Sequence, residues 1–122
     1  MSQLFDSTIL ISHLRGDRRA TELLLEARPP LASVISRVEI EGGMRSGERG
    51  GVARLFEGLE LLPISEAVAR RAGVELRRFR RSHPGIDVAD YLIAATALEG
   101  DLGLVTLNVT HFPMFADLAP PW

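Results

Sequence analysis

Residues 3–14, Gln-Leu-Phe-Asp-Ser-Thr-Ile-Leu-Ile-Ser-His-Leu, contain the pattern on which the fold prediction depends. Gln3-Leu4-Phe5 predicts a short strand that ends at Asp6, and Ser7 or Thr8 can cap a helix that follows at once. A short strand followed by an amphipathic helix is the repeating unit of folds built around a parallel sheet. The opening segment therefore predicts an α/β protein.

The same alternation of short apolar runs and helical periodicity continues through the chain. The later predicted strands are Leu31 to Val34, Glu60 to Ile64 and Leu102 to Thr106, with a further short strand allowed in the tail, Met114 to Trp122. The predicted helices are Arg18 to Glu26, Ser36 to about Met44, Val52 to Leu59, a stripe from Ser65 through Phe79, and a small-residue helix from Ile86 or Asp87 through Leu98. We expect a mainly parallel sheet of four to five strands in one domain, residues 1–122.

Composition excludes several kinds of site. All 14 basic residues are arginine, so a P-loop lysine and Schiff-base chemistry are excluded, and the absence of cysteine excludes disulfides and thiolate zinc sites. With 16 acidic residues the formal charge is −2, which gives no overall attraction to nucleic acid. Any polyanion must be held locally.

The chain shows no signal for export or membrane insertion. Residues 1–12 lack the basic start and long apolar run of a signal peptide, and no apolar run reaches the roughly 18 residues of a membrane span. We therefore expect no membrane association and a cytoplasmic location.

Polar residues stand where predicted strands end. Asp6 ends the first strand, Glu39 lies one turn into the helix after the second, and Asp90 lies near the start of the helix before the fourth. Thr106 ends the fourth strand and Asn108 follows it. If strands one, two and four are neighbours, these residues meet at one sheet edge. Three carboxylates repel unless a cation joins them, and oxygen ligands suit Mg²⁺ or Mn²⁺, which predicts metal-assisted hydrolysis of a phosphodiester.

Each acid also has a purely structural interpretation. Asp6 can cap the first helix, and Ser36-Arg37-Val38-Glu39 fits a capping box. Asp90 precedes an apolar run where an unpaired charge is costly, which favours a functional role, whereas Asp87 suits an N-cap. The histidines show no metal-ligand spacing and are interpreted as surface or packing residues: His13, His83 and His111.

The stretch from Arg70 to Arg81 is typical of a solvated helix face. Arginine also matches phosphate with two parallel hydrogen bonds, so part of this face can contact RNA. The candidate phosphate contacts are Arg77, Arg78, Arg80 and Arg81.

Four segments in order resemble the PIN-domain ribonucleases, particularly the VapC-type toxins of bacterial toxin–antitoxin pairs. They are Leu4–Ile11, Ser33–Glu39, Asp90–Ala97 and Leu104–Asn108, the last followed by His111-Phe112. The third segment is the most specific, and the similarity extends over nearly the whole chain.

The resemblance assigns roles to individual residues. It implies that Asp6, Glu39 and Asp90 are the catalytic, metal-binding acids. Ser7 and Thr106 would orient carboxylates or waters. Asn108 stands where many members carry a fourth acid, so here it would hold a water or a phosphate.

The resemblance further implies a three-layer α/β/α sandwich, a homodimer, and a cognate VapB-type antitoxin that covers the active-site cleft. The expected activity is that of a toxin: endonucleolytic hydrolysis of RNA by a water activated on carboxylate-bound Mg²⁺ or Mn²⁺. Two alternatives are a non-catalytic RNA- or protein-binding module on the same fold and a small-molecule metal phosphohydrolase.

Overall fold

Four short parallel strands form one sheet in the order β3-β2-β1-β4 in the computed structural model, which describes residues 2–122. The strands are β1 (Gln3–Phe5), β2 (Leu31–Ser33), β3 (Glu60–Leu62) and β4 (Gly103–Val105). The helices are α1 (Ser7–Leu14), α2 (Arg18–Glu26), α3 (Val34–Gly43), α4 (Arg49–Gly58), α5 (Glu66–Phe79) and α6 (Val88–Glu99). Single 3-10 turns lie at Ser46–Glu48 and Val109–His111.

Successive strand residues point to opposite faces of the sheet, as the pleat requires. Phe5, Ala32 and Val105 pack beneath α1, α2 and α4, while Leu4 and Leu104 pack against α6 on the other face. Helix α5 then packs on α6. The arrangement is the predicted three-layer α/β/α sandwich.

Alanines allow α6 to lie close to the sheet. Ala94, Ala95 and Ala97 are fully buried, and Ile93 lies among them in the core. The sequence interpretation of this segment as a small-residue helix packed on the sheet is confirmed.

The structure corrects several predicted boundaries. Helix α3 follows β2 without a loop, because Ser33 is the N-cap and its Oγ accepts from the Ile35 N–H at 3.1 Å. Ser36, expected to open this helix, is instead fully buried within its first turn. Helix α4 begins at Arg49, earlier than expected. Strands β2, β3 and β4 are each shorter than predicted, whereas β1 spans the predicted residues, and the tail from Met114 contains no strand in the part of the chain that the structure describes.

No helix within residues 2–122 has the length and hydrophobicity needed to span a bilayer.

Two polar groups, the carboxylate of Glu75 and the hydroxyl of Tyr91, are buried at the α5–α6 interface. Glu75 is 4% exposed, and Arg71 donates to its Oε1 at 3.4 Å. Glu75 Oε2 and the hydroxyl of Tyr91 have no hydrogen-bond partner among the described residues. Burial raises the pKa of Tyr91, and the negative charge of Glu75 raises it further. The Tyr91 hydroxyl is therefore buried near negative charge, with no hydrogen bond among the described residues to offset its burial.

We predict that Tyr91→Phe leaves the fold at least as stable as the parent. Deleting an unsatisfied hydroxyl removes a buried polar group without opening a cavity, so the free energy of unfolding should be unchanged or about 1 kcal/mol higher. Denaturant unfolding measures it, with Tyr91→Ala as the control that loses about 3–5 kcal/mol. A loss of about 2 kcal/mol in Tyr91→Phe would mean that the hydroxyl is hydrogen-bonded.

Candidate active site

The sheet order places the ends of three strands side by side. Strand β1 lies between β2 and β4, as the prediction of a shared edge required. Phe5 is in register with Val105, so the next residues, Asp6 and Thr106, are adjacent at the carboxyl edge. Polar side chains at this edge can act on one ligand.

Two threonines hold one oxygen of Asp6. Thr8 Oγ1 and Thr106 Oγ1 each donate to Asp6 Oδ2 at 2.8 Å. Both hydroxyls also accept backbone N–H groups, Thr8 from Leu107 and Thr106 from Asn108, which directs their own protons toward the carboxylate. Asp6 is only 3% exposed, yet its Oδ1 has no hydrogen-bond partner among the described residues and is not sealed from solvent.

Asp6 also caps α1, so the structural interpretation of this residue is correct as well. The backbone N–H of Thr8 donates to the same Oδ2 at 3.4 Å, a long and weak bond. Capping uses the oxygen that the threonines already hold. It does not compete for Oδ1, which remains free for a ligand.

Glu39 projects from α3 toward the same edge and is held by Ser7. Ser7 Oγ lies 2.7 Å from Glu39 Oε1 and 2.8 Å from Ser36 Oγ. An ionised carboxylate only accepts, so Ser7 Oγ donates to Glu39, and its contact with the Ser36 hydroxyl helps to hold Ser7 in place. The capping-box interpretation of Ser36 and Glu39 is therefore wrong, because Ser33 caps the helix and Glu39 faces another element.

Asp90 lies in the first turn of α6 and is held by a histidine. Its backbone N–H donates to Asp87 Oδ1 at 2.9 Å, which confirms Asp87 as the N-cap. Asp90 Oδ2 lies 2.9 Å from His111 Nδ1. The sequence interpretation of His111 as a surface or packing residue missed this contact. The only signal for it in the sequence was that His111 directly follows the fourth segment of the resemblance. The contact forms because the 3-10 turn after β4 brings His111 back to α6.

The other predicted polar residue, Asn108, lies beyond Thr106 at the end of β4. It is half-buried, and its side chain makes no hydrogen bond within the described residues. An uncharged amide at this position adds no repulsion to the neighbouring acids.

The acids influence one another electrostatically. Partial burial raises the pKa of Glu39, the hydrogen bond from Ser7 opposes that shift, and the charges of Asp6, Asp90 and Asp87 raise it further. Burial also raises the pKa of Asp90, with the His111 hydrogen bond opposing it and the Asp87 charge adding to it. Such repulsion among oxygen donors is what a bound cation relieves.

A common arrangement emerges for Asp6, Glu39 and Asp90. One oxygen of each carboxylate is held by a side chain from another element, and the second oxygen has no hydrogen-bond partner among the described residues. No three Asp, Glu or His side chains within residues 2–122 already converge on one point as metal ligands. The donor set nevertheless fits a hard divalent cation, because it consists of carboxylate oxygens with unused lone pairs.

The arginines of α5 and of the turn after it divide into those that form an ion pair and those that do not. Arg70 pairs with Glu66 at 2.9 Å, and Arg71 lies between Glu75 and Glu99. Arg78 is weakly paired with Glu75 at 3.8 Å and stacks on Phe79. Exposed arginines without an ion pair in the described part of the chain are Arg77, Arg80 and Arg81.

The PIN domain pattern matches residues 4–113, which is nearly the whole chain. The chain belongs to the PIN domain family. This PIN domain is 54% identical to Ribonuclease VapC10 of Mycobacterium tuberculosis, over 98% of this chain and 92% of that protein. It is 44% identical to Ribonuclease VapC19 of the same organism, over 98% and 99%.

A solved structure, a toxin-antitoxin complex from Klebsiella pneumoniae, contains a chain with the same fold. The TM-score is 0.81 at 26% sequence identity, and the match covers 99% of this PIN domain and 98% of that chain. The family and the α/β/α fold predicted from the four segments are thus confirmed.

The hydrogen-bond pattern predicts opposite pKa changes in two variants of this PIN domain. Asp90→Asn should lower the Glu39 pKa, because it removes a nearby negative charge. Ser7→Ala should raise it, because the charged carboxylate loses a donor. Carboxyl carbon NMR titration measures both changes.

Asp17→Asn is the control for this titration, since Asp17 caps α2 and pairs with Arg19 away from the acids. It should leave the Glu39 pKa unchanged. Shifts of the same sign in Asp90→Asn and Ser7→Ala would contradict the arrangement described above.

Proposed function

We propose that this PIN domain is a metal-dependent endoribonuclease, the toxin of a toxin–antitoxin pair. Two observations carry the proposal: Asp6 and Asp90 lie near enough to Glu39 for their charges to raise its pKa, and each of the three acids has one oxygen fixed and one unengaged. The names of the relatives, both ribonucleases, and the toxin-antitoxin complex with the same fold support it.

The three acids would hold Mg²⁺ or Mn²⁺. The chemistry supplied by such an ion is activation of a water and neutralisation of charge on phosphate oxygens. The contribution of the chain is to fix the donors: Thr8 and Thr106 restrain Asp6, and Ser7 restrains Glu39. Outer hydrogen bonds of this kind orient metal ligands and maintain their basicity.

Asn108 and Thr106 would act on the substrate side of the same edge. Thr106 is committed to Asp6 and to the backbone of Asn108, so it positions rather than contacts RNA. The Asn108 amide has unused donors and can hold a phosphate oxygen or a water.

Phosphate contacts would come from the end of α5. The chain passes from this end through a short loop into α6, where Asp90 lies, so Arg77, Arg80 and Arg81 are attached next to the acids. Arg78 belongs to the same surface, although Glu75 partly neutralises it. Their local positive charge compensates for the formal charge of −2.

The proposal includes partners. A VapB-type antitoxin would cover the acids and silence the enzyme, and the active form would be a homodimer in the cytoplasm, where cellular RNA is the substrate. The toxin-antitoxin complex from Klebsiella pneumoniae supports the first of these.

We predict that Asp6→Asn and Asp90→Asn each abolish cleavage of structured RNA in MgCl₂. Losing a ligand should cost more than the roughly 10–100-fold typical of losing an outer partner. Excess EDTA should stop the parent enzyme, and added Mg²⁺ or Mn²⁺ should restore it. Gel assays of labelled RNA measure the rates, with circular dichroism to verify folding.

Glu57→Gln, a change at an exposed position of α4, is the control and should cut at the parent rate. Parent-rate cleavage by Asp90→Asn would refute the mechanism. RNA left intact by the parent would favour the non-catalytic module, and faster hydrolysis of nucleotide monophosphates than of RNA would favour the phosphohydrolase.

For the α5 surface, we predict that the combined change of Arg77, Arg80 and Arg81 to Gln weakens RNA binding. Three lost contacts with single-stranded RNA should reduce the slope of log affinity against log salt by about 2. Fluorescence anisotropy over a salt series measures this slope. The control is Arg70→Gln, because Glu66 already neutralises Arg70, and its slope should match that of the parent. An unchanged slope in the triple variant would exclude this surface from RNA binding.

A further inference from the structure

The 3-10 turn after β4 is anchored in the core by the residue that ends it, Phe112. This side chain is fully buried in the apolar cluster that the sheet forms with α6, where Ile93 is one of its neighbours. Within the turn, the backbone N–H of His111 donates to the Asn108 carbonyl at 3.0 Å. Burial of Phe112 therefore fixes where His111 stands, beside the first turn of α6.

His111 donates a hydrogen bond to the carboxylate of Asp90. Its Nδ1 lies 2.9 Å from Asp90 Oδ2, and the two side chains are 36% and 14% exposed. An ionised carboxylate only accepts, so the shared proton lies on Nδ1 whether the ring is neutral or charged. Hydrogen bonds to an ionised acceptor are about twice as strong as those between neutral groups. The bond is therefore strong enough to restrain the carboxylate.

The same turn also restrains Asp6. The backbone N–H of Asn108 donates to Thr106 Oγ1 at 2.9 Å, and Thr106 Oγ1 donates to Asp6 Oδ2 at 2.8 Å. The segment 106–111 thus contacts one acid from the end of β1 and another from α6. These two acids come together through this short piece of chain.

We infer that His111 is a positioning residue for Asp90: its Nδ1–H holds Oδ2, so that Oδ1 is presented to the divalent cation at the acids. The inference rests on the proposed metal-dependent function and adds a residue to it. The last torsion of an aspartate side chain is loosely defined, so a donor on one oxygen decides where the other points. Asp87 bonds the backbone N–H of Asp90, and within residues 2–122 only His111 donates to its carboxylate.

Asparagine and leucine at position 111 provide a matched pair of variants. The two side chains have nearly the same shape, and the amide nitrogen of asparagine is as many bonds from the backbone as the histidine Nδ1. His111→Asn should therefore keep a donor for Asp90, and His111→Leu should lose it. His13→Leu is the control, because His13 Nδ1 lies 2.7 Å from Thr21 Oγ1 near the end of α1 that is far from Ser7.

The experiment measures Mn²⁺ affinity without RNA, by electron paramagnetic resonance, which distinguishes free from bound Mn²⁺. We expect His111→Leu to lose at least about tenfold in affinity, the lower end of the effect of losing an outer hydrogen bond. His111→Asn and His13→Leu should bind Mn²⁺ nearly as tightly as the parent. The Mn²⁺ concentration needed for RNA cleavage should rise by the same factor in His111→Leu, with most of the rate restored at saturating Mn²⁺.

A second background tests whether His111 acts through Asp90. In Asp90→Asn, adding His111→Leu should not change the Mn²⁺ affinity that is left, because effects that pass through one group are not additive. A further tenfold loss there would overturn the inference, since His111 would then bind the cation itself.

Three other results would overturn it. They are parent-like Mn²⁺ affinity in His111→Leu, an equal loss in His111→Asn and His111→Leu, and parent-like Mn²⁺ affinity with a cleavage defect that persists at saturating Mn²⁺. The last would mean that His111 contacts RNA. If the parent binds no Mn²⁺, the inference and the proposed function both fail, whereas Mn²⁺ binding without RNA cleavage refutes the function alone.

Nitrogen NMR of the parent decides the matter if His111→Leu does not fold. The proton should remain on His111 Nδ1 when Mg²⁺ is added, and the resonances of this ring should shift while those of His13 do not. A His111 ring that Mg²⁺ leaves unchanged would overturn the inference.

Discussion

The candidate site depends on the hydrogen bonds that Thr8 and Thr106 donate to one oxygen of Asp6. The bond from Thr106 joins the end of β1 to the end of β4, strands separated by nearly the whole chain. Parallel pairing of these strands fixes the register in which Asp6 and Thr106 meet. The sheet, with apolar residues alternating between its two faces, is thus the support that keeps a buried carboxylate in one orientation with its other oxygen free.

The cluster of acids is held against its own repulsion. The raised pKa values of Glu39 and Asp90 mean that folding disfavours their charged forms. This cost is absent below the pKa values of the unfolded chain and is fully present above those of the folded chain. The buried alanines of α6 and the sheet core offset it. Stability alone does not explain why these carboxylates lie near one another, so their arrangement favours a functional role.

The sequence was sufficient to predict an α/β fold, because strand ends and helix periods are local patterns, and the resemblance of four segments predicted the sandwich and the family. The role of the three acids stays a prediction. The sequence did not predict the strand order. The expectation that these residues lie at one sheet edge depended on strands one, two and four being neighbours, and the observed order makes them so. Two features escaped the sequence prediction. Ser33 rather than Ser36 caps α3, since no loop separates β2 from the helix. His111 reaches Asp90 only because the chain turns back after β4, and no local pattern encodes a contact of that separation.

The net charge does not show how the arginines are distributed, and it is their distribution that favours RNA. Glu66 and Glu75 of α5 and Glu99 of α6 neutralise the first arginines of α5. Near the end of this helix, Arg77, Arg80 and Arg81 have no ion pair among the described residues. Arg15 and Arg45 are likewise unpaired among the described residues, on the helical layer that covers the opposite face of the sheet. Both helical layers thus carry cationic groups, and the carboxylates lie at the sheet edge between the layers. This arrangement suits an RNA strand that must be held on either side of the bond being cut. A lone mononucleotide would need no such spread of charge.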